Sequence, residues 1–257
     1  MPGLDKSLTI ASENRILTAP ETHPTAENTA ATRTPRLFWA IVCAFVALAL
    51  LPTLWTQLDL AAAGLFTGNQ ARIHSASWFW VEGINLYVPA VFRTVVLGAL
   101  ALWLLSLLSG KAKSWRMTLA FIALAGTLGP GLLVNNGFKD HWQRARPYQV
   151  QDFGGPQQFT RATVMTDQCN NNCSFVSGHV ACGIFLSSLM LVHRRRQRWW
   201  GAAGVSAAFL VGFARMSDSA HWLSDVLWAC PITLLCSWLV WRALLRLHPP
   251  VPDSPTL

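Results

Sequence analysis

Charge is scarce in this chain. Only 12% of its 257 residues are charged, against 52% hydrophobic positions, a balance that excludes an ordinary soluble domain and leaves length for one domain. No internal repeat, glycine-rich phosphate loop or metal-type Cys/His array is present, so neither a repeat architecture nor a metal or other cofactor is indicated. The net charge of +8 (20 basic minus 12 acidic) would ordinarily suggest nucleic acid or anionic lipid. No nucleic-acid module accompanies it, and the basic residues fall in clusters between apolar runs.

Those runs lie at about 37–55, 86–109, 117–136, 175–192, 199–214 and 223–241, six candidate spans by length and hydropathy. A soluble helical bundle fits poorly, because runs such as Leu37–Leu51 lack a polar face. The fifth run has 16 uncharged residues. It extends about 24 Å, so it needs the polar residues after it to reach the membrane boundary, which places Arg215 at the interface. The expected fold is an all-α integral membrane bundle of about six transmembrane helices over residues 37–247. Residues 1–36, rich in Thr, Ala, Glu, Asn and Pro, are read as a disordered cytoplasmic tail with no cleavable signal peptide, and residues 248–257 as a short C-terminal tail.

Basic residues set the orientation. Arg33 and Arg36 precede the first run, Lys111, Lys113 and Arg116 separate the second and third, and Arg194, Arg195, Arg196 and Arg198 separate the fourth and fifth. Arg242 and Arg246 follow the sixth. The positive-inside rule puts these connections and both termini in the cytoplasm. Tryptophans near span ends, among them Trp55, Trp115, Trp142, Trp199, Trp200, Trp222 and Trp241, read as an interfacial belt, as does the Trp78–Glu82 stretch in the link from 56 to 86. Cys43, Cys182, Cys230 and Cys236 lie in apolar runs and read as small core residues. Cys169 and Cys173 bracket three asparagines in a loop on the non-cytoplasmic side, where a disulfide, two free thiols or, less readily, a zinc pair are the alternatives.

Three polar stretches stand apart on that same side. Lys139 and Arg146 are seven residues apart, so a helix over Phe138–Arg146 would project both from one face, with Pro147 ending it and leaving the guanidinium free to fork onto two phosphate oxygens. The spacing alone equally describes a solvated face. Ser177 and Gly178 sit where the fourth run begins, and a helix start offers unpaired N–H groups to an anion; serine before glycine is also an ordinary cap. His221 and Asp225 are i and i+4, close enough for the carboxylate to orient the imidazole. Arg215 adds a third cation if Met216–Ala220 turns back toward the site.

In this order and spacing, Lys139-x6-Arg146-Pro147, Ser177-Gly178-His179 and Arg215-x5-His221-x3-Asp225 resemble the type 2 phosphatidic acid phosphatase family, mostly membrane lipid phosphatases. The likeness covers about residues 139–225, and the hydrophobic plan extends it to about 37–247. It implies that His221 is a nucleophile forming a phosphohistidine, that Asp225 orients it, and that His179 protonates the leaving oxygen. Lys139, Arg146, Arg215, Ser177 and Gly178 would hold the phosphate without a metal. Val176 and Ala214 stand where the family usually has proline and serine, the latter removing one possible phosphate hydroxyl.

Leu132–Asn136, Phe153-Gly154-Gly155 and Cys173–His179 look most similar to the lipid A phosphatase branch. The resemblance implies a multi-pass protein of a bacterial inner membrane, its site facing the periplasm and its substrate a phosphorylated membrane lipid. Undecaprenyl pyrophosphate, phosphatidylglycerophosphate and phosphatidate phosphatases share the same core. A non-catalytic anionic-lipid binder is the alternative from another class, and His179, His221 and Asp225 argue against it, since binding alone does not require two imidazoles and an orienting acid.

Overall fold

The computed structural model describes residues 34–67, 78–108 and 115–248. Most of the expected N-terminal tail, the connection carrying Lys111 and Lys113, and the last nine residues lie outside the described residues. Among those described there is no strand, only an isolated bridge between Val150 and Gln157.

Each apolar run becomes a helix. The elements are α1 (Arg36–Leu54), α2 (Gln57–Gly64), α3 (Phe79–Leu108), α4 (Arg116–Gly126), a π-helical segment (Thr127–Phe138), α5 (Lys139–Trp142), α6 (Gly178–Ser188), α7 (Gln197–Ser217) and α8 (Leu223–Leu247). Among the described residues, four stretches are long and apolar enough to cross a membrane: Arg36–Leu54, Phe79–Leu108, Arg116–Gln149 and Leu223–Leu247. Gly178–Leu191 is apolar but shorter. The bundle is therefore all-α and of membrane-spanning type, with four stretches of crossing length and one shorter apolar helix among the described residues.

Length differences follow position. Helix α6 has 11 residues, about 16 Å, and buries Val180, Ala181, Gly183, Ile184, Phe185, Ser187 and Ser188, so it is a central element walled by α7, α8 and the π segment. Helix α3 is peripheral, with Leu86, Val91, Val95, Leu97, Leu102 and Leu104 exposed where lipid would lie. Lipid tails are as apolar as these side chains, so close packing has to hold the bundle together. Gly204, Ala208 and Gly212 form a small-residue row at four-residue intervals on the buried face of α7. A Cβ at Gly204 would collide with the backbone and side chain of Ser187 on α6.

Two boundaries differ from the sequence expectation. Helix α3 begins at Phe79, seven residues before the apolar run, and carries Trp80 onto Phe213 of α7 in a stacked pair 6.0 Å apart. The helix expected over Phe138–Arg146 stops at Trp142, because Gln143 takes a left-handed conformation (φ 48°). Arg146 is extended, as the following Pro147 requires. Upstream, three glycines and Pro130 in Thr127–Phe138 disfavour regular α-helix, and the chain runs there as a wider π-helix.

Trp222 is also misplaced by the belt reading. It is 1% exposed and donates through Nε1 to the Ala145 carbonyl at 2.8 Å, so it belongs to the polar core. Cys43, expected in the core, is exposed on α1, while Cys230 is buried.

Candidate active site

The three motifs converge at one end of the bundle, and Ser174 connects them. Its N–H donates to the Arg144 carbonyl at 2.9 Å, its hydroxyl donates to Asp225, and its carbonyl lies 2.7 Å from His221 Nδ1. A carbonyl only accepts, so Nδ1 carries the proton and Nε2 keeps a lone pair. The Ser177 N–H donates to the Asp225 carbonyl at 3.3 Å, joining the start of α6 to the first turn of α8. Ser219, with φ 53°, turns the chain after α7, and Ala220 N–H returns to the Arg215 carbonyl at 3.1 Å. This is the turn-back that brings Arg215 toward the histidines.

Lys139 and Arg146 meet through a third residue, not through a shared helix face. Lys139 Nζ donates to Asn172 Oδ1 at 3.0 Å, and Arg146 donates through Nε and Nη2 to the Asn172 carbonyl at 3.1 and 2.6 Å. Among the described residues neither cation has a carboxylate within 4.0 Å. Arg215 donates to Asn85 Oδ1 of α3 and forms a 3.0 Å ion pair with Asp218. Lys139, Arg146 and Arg215 all act through space on His221, so the three positive charges share one neighbourhood. Burying them together is costly unless an anion joins them.

Two buried polar atoms of the motifs are left without a partner. Ser177 is fully buried, its hydroxyl makes no cap hydrogen bond, and Ser177 Oγ and Arg215 Nε are both buried without a partner. The serine hydroxyl is thus not spent as a helix cap. Gly178 is required by a close approach, since a Cβ there would stand 2.8 Å from Asn135 Oδ1.

His179 is held from α3. Its Nε2 lies 3.1 Å from the Asn85 carbonyl, so Nε2 bears the proton. Four residues on is Pro89, which has no N–H to give that carbonyl, leaving it available to the imidazole.

The wall behind His221 is a buried ionic network that sequence reasoning missed. Arg144 is 0% exposed and donates to Asp225 Oδ1 at 2.6 Å, Ser224 Oγ at 2.8 Å, Asp59 Oδ2 at 2.9 Å and the Thr160 carbonyl at 2.9 Å. Its guanidinium carbon lies 5.2 Å from the Trp222 ring and 5.6 Å from the Phe159 ring. Asp59, from α2, also accepts from the Ser224 N–H at 2.8 Å. Burial raises the Asp59 carboxyl above its ordinary value, against the opposing pull of Arg144 and Ser224. Asp225 accepts from Arg144, Ser174 and the Trp222 N–H, and its Oδ2 is 3.7 Å from His221 Nδ1. At that distance it acts on the imidazole as a neighbouring charge, not as a hydrogen-bond acceptor. Burial, reinforced by Arg146, Arg215 and Lys139 and opposed by Asp225, pushes His221 down to about 3, so the imidazole is neutral near pH 7.

Cys169 and Cys173 are disulfide-bonded, with Cα atoms 5.6 Å apart, immediately before Ser174. Among the described residues no three His, Cys, Asp or Glu side chains converge to hold a metal ion. The site therefore offers a neutral imidazole with a free nitrogen on His221, a second imidazole on His179 fixed by the Asn85 carbonyl, and a cluster of cationic and hydroxyl donors, a set suited to phosphoryl transfer.

Residues 115–249 match the family model described as the PAP2 superfamily. A lipid A 4'-phosphatase of Francisella tularensis subsp. novicida is 33% identical over 214 residues, 80% of this chain and 94% of that protein. A lipid A 4'-phosphatase of Rhizobium leguminosarum is 42% identical over 125 residues, 48% of this chain and 52% of that one. A lipid A 1-phosphatase of Porphyromonas gingivalis is 27% identical over 192 residues, 71% of this chain and 37% of that one. No solved structure matches the chain. The chain belongs to the PAP2 superfamily, and its likeness runs to the lipid A phosphatase branch, as the motifs implied.

Proposed function

We propose that this PAP2 member removes the 4'-phosphate of lipid A at the periplasmic face of a bacterial inner membrane. It is a multi-pass phosphoric monoester hydrolase. The observation that carries the reading is the pair of imidazoles each fixed by a backbone carbonyl, His221 through Nδ1 with Nε2 free and His179 through Nε2 with Nδ1 free, beside the Lys139, Arg146 and Arg215 cluster. A binding protein needs only the cluster.

In the first step His221 Nε2 attacks phosphorus while the bond to the lipid oxygen breaks. His179 enters this step as its imidazolium: Nε2 keeps its proton on the Asn85 carbonyl, and Nδ1 gives its proton to that oxygen, releasing a lipid hydroxyl and leaving a phosphohistidine. Water then attacks the phosphorus, His179 takes its proton, the P–N bond breaks and inorganic phosphate leaves. The phosphate oxygens are held by Lys139, Arg146, Arg215, the Ser177 hydroxyl and the N–H groups at the start of α6, where Gly178 allows close approach. Asp225 stabilises the charge that develops on His221, and Arg144 with Asp59 fixes Asp225.

The choice of the 4' position rests on the likeness to the two 4'-phosphatases. The more distant 1-phosphatase relative supports the 1-phosphate as the second reading. The disulfide beside the site supports an oxidising compartment, hence the periplasm. Lipid A from matched Gram-negative cells with and without the protein should differ by one phosphate, and tandem mass spectra should place the loss at the 4' end. Unchanged lipid A alongside rapid turnover of undecaprenyl pyrophosphate or phosphatidate would reject this substrate and retain the chemistry.

A further inference from the structure

Arg93 stands near the middle of the 30-residue membrane-crossing helix α3, and it is exposed. Its Nε donates to the Pro89 carbonyl at 3.3 Å, and no carboxylate lies within 4.0 Å of it among the described residues. A cation at such a depth is costly against hydrocarbon and is kept where something polar meets it. The hydrogen bond to Pro89 directs the side chain back along α3 toward Asn85, which is two turns, about 12 Å, from Arg93 and holds His179. The guanidinium therefore stands below the catalytic end, deeper in the bilayer than a headgroup phosphate.

Arg93 also lines a cleft of about 530 Å³ between α3 and the π segment, together with Phe92, Val96, Thr127, Pro130 and Asn135. The cleft is mainly apolar, and Asn135 on its wall is the residue packed against Gly178 at the start of α6. One wall is thus shared between cleft and phosphate site. A lipid with its phosphate among Lys139, Arg146 and Arg215 can lay a chain along this wall, and the first groups beneath its phosphate would then meet Arg93.

Resting on the lipid-phosphatase reading, we propose that Arg93 is a specificity-determining residue that donates to the oxygens linking acyl chains to the headgroup. Ester carbonyls, amide carbonyls and chain hydroxyls of an acylated sugar or glycerol lie just below the phosphate and accept hydrogen bonds. A polyprenyl or plain alkyl phosphate has only hydrocarbon at that level and leaves the guanidinium unmatched, so Arg93 selects acylated lipids over isoprenoid ones. The linkage oxygens and a second headgroup phosphate share this acceptor chemistry, and substrates with one or two phosphates tell them apart.

The test compares wild type, Arg93→Gln and Arg93→Lys on lipid A carrying one or two phosphates, on phosphatidate and on dodecyl phosphate, the last followed as substrate or as competitive inhibitor. Arg93→Gln should raise KM about tenfold for acylated substrates, the worth of one hydrogen bond to a charged group, with kcat and the constant for dodecyl phosphate unchanged. Arg93→Lys should recover part of the loss. An equal loss on one- and two-phosphate lipid A upholds the linkage oxygens, and a loss confined to the latter assigns Arg93 to the second phosphate and overturns the inference. Equal effects on acylated lipids and dodecyl phosphate, or no effect, would overturn the inference while wild-type turnover of lipid A upholds the substrate reading. Arg93-dependent turnover of phosphatidate with none of lipid A would uphold the inference and reject that substrate.

Discussion

His221 donates a hydrogen bond through Nδ1 to the Ser174 carbonyl at 2.7 Å, while Asp225, four residues along in the first turn of α8, stays 3.7 Å away. The tautomer of the proposed nucleophile is therefore set by backbone, and the carboxylate is committed to Arg144. Asp225→Asn should keep some turnover, since Ser174 still orients the ring. It should also lose stability, because Arg144 is left buried with one of its two carboxylates gone, a defect of about 3–5 kcal/mol for a broken buried pair. Thermal unfolding in detergent, run beside a turnover assay, checks both halves. Full stability with no activity would show Asp225 to be purely chemical.

His221→Ala should abolish turnover in protein that still folds and inserts. Alanine removes the attacking nitrogen and buries no new charge, and the Arg144–Asp225–Asp59 network does not pass through the ring. Enzyme incubated with phosphorus-32-labelled substrate and quenched in alkaline detergent, which preserves the acid-labile P–N bond, should carry label in wild type and none in the variant. Normal turnover by folded His221→Ala protein would sink the phosphohistidine mechanism.

Acidification should destabilise the protein through His221. Its ordinary value is 6.5 and burial holds it at about 3, so between these pH values the unfolded chain binds a proton that the folded chain refuses. The stability due to the neutral imidazole is complete above pH 6.5 and is lost as pH falls toward 3. Wild type should lose more Tm between pH 7 and pH 5 than His221→Ala does, and equal losses would show that the imidazole is not held neutral.

The motifs could be read from the chain because their chemistry lies in residue type and local spacing, and the Ser177–Gly178 helix start and the turn after Arg215 are local events. The apolar runs were legible for the same reason. The network behind His221 was not: Asp59 and Arg144 are 85 positions apart, and only the fold shows that they meet. A lone acid in an apolar stretch and a second arginine beside Arg146 were the available signals. The Lys139–Arg146 helix failed on one residue, Gln143, whose left-handed turn a glutamine does not advertise. Trp222 was misread because a span-end tryptophan facing lipid and one facing a buried arginine look alike in sequence.

Topology can be tested through the loops. Single reporter cysteines at Gln151 and Gln197, in a background without the native six, should react with an impermeant thiol reagent from opposite sides of the membrane. Arg194, Arg195, Arg196 and Arg198 beside Gln197 bias that loop to the cytoplasm, and Gln151 lies in the stretch leading to the Cys169–Cys173 bridge. Labelling of both positions from one side would overturn the periplasmic site.

Ser177→Ala separates a phosphate donor from a structural hydroxyl. The side chain is fully buried, and Oγ has no hydrogen-bond partner, so alanine removes an unsatisfied polar atom and breaks no bond of the folded state. Stability should therefore stay within about 0.5 kcal/mol of wild type or rise slightly. Activity should behave differently, because a hydroxyl donating to a charged phosphate oxygen contributes about 1.5–3 kcal/mol, roughly ten- to a hundredfold in kcat/KM. Vanadate, binding among Lys139, Arg146 and Arg215, should weaken in parallel, since it presents the same oxygens to the same hydroxyl. A variant that melts early yet keeps its vanadate affinity would make Ser177 a packing residue and leave phosphate binding to the cations and the α6 amides.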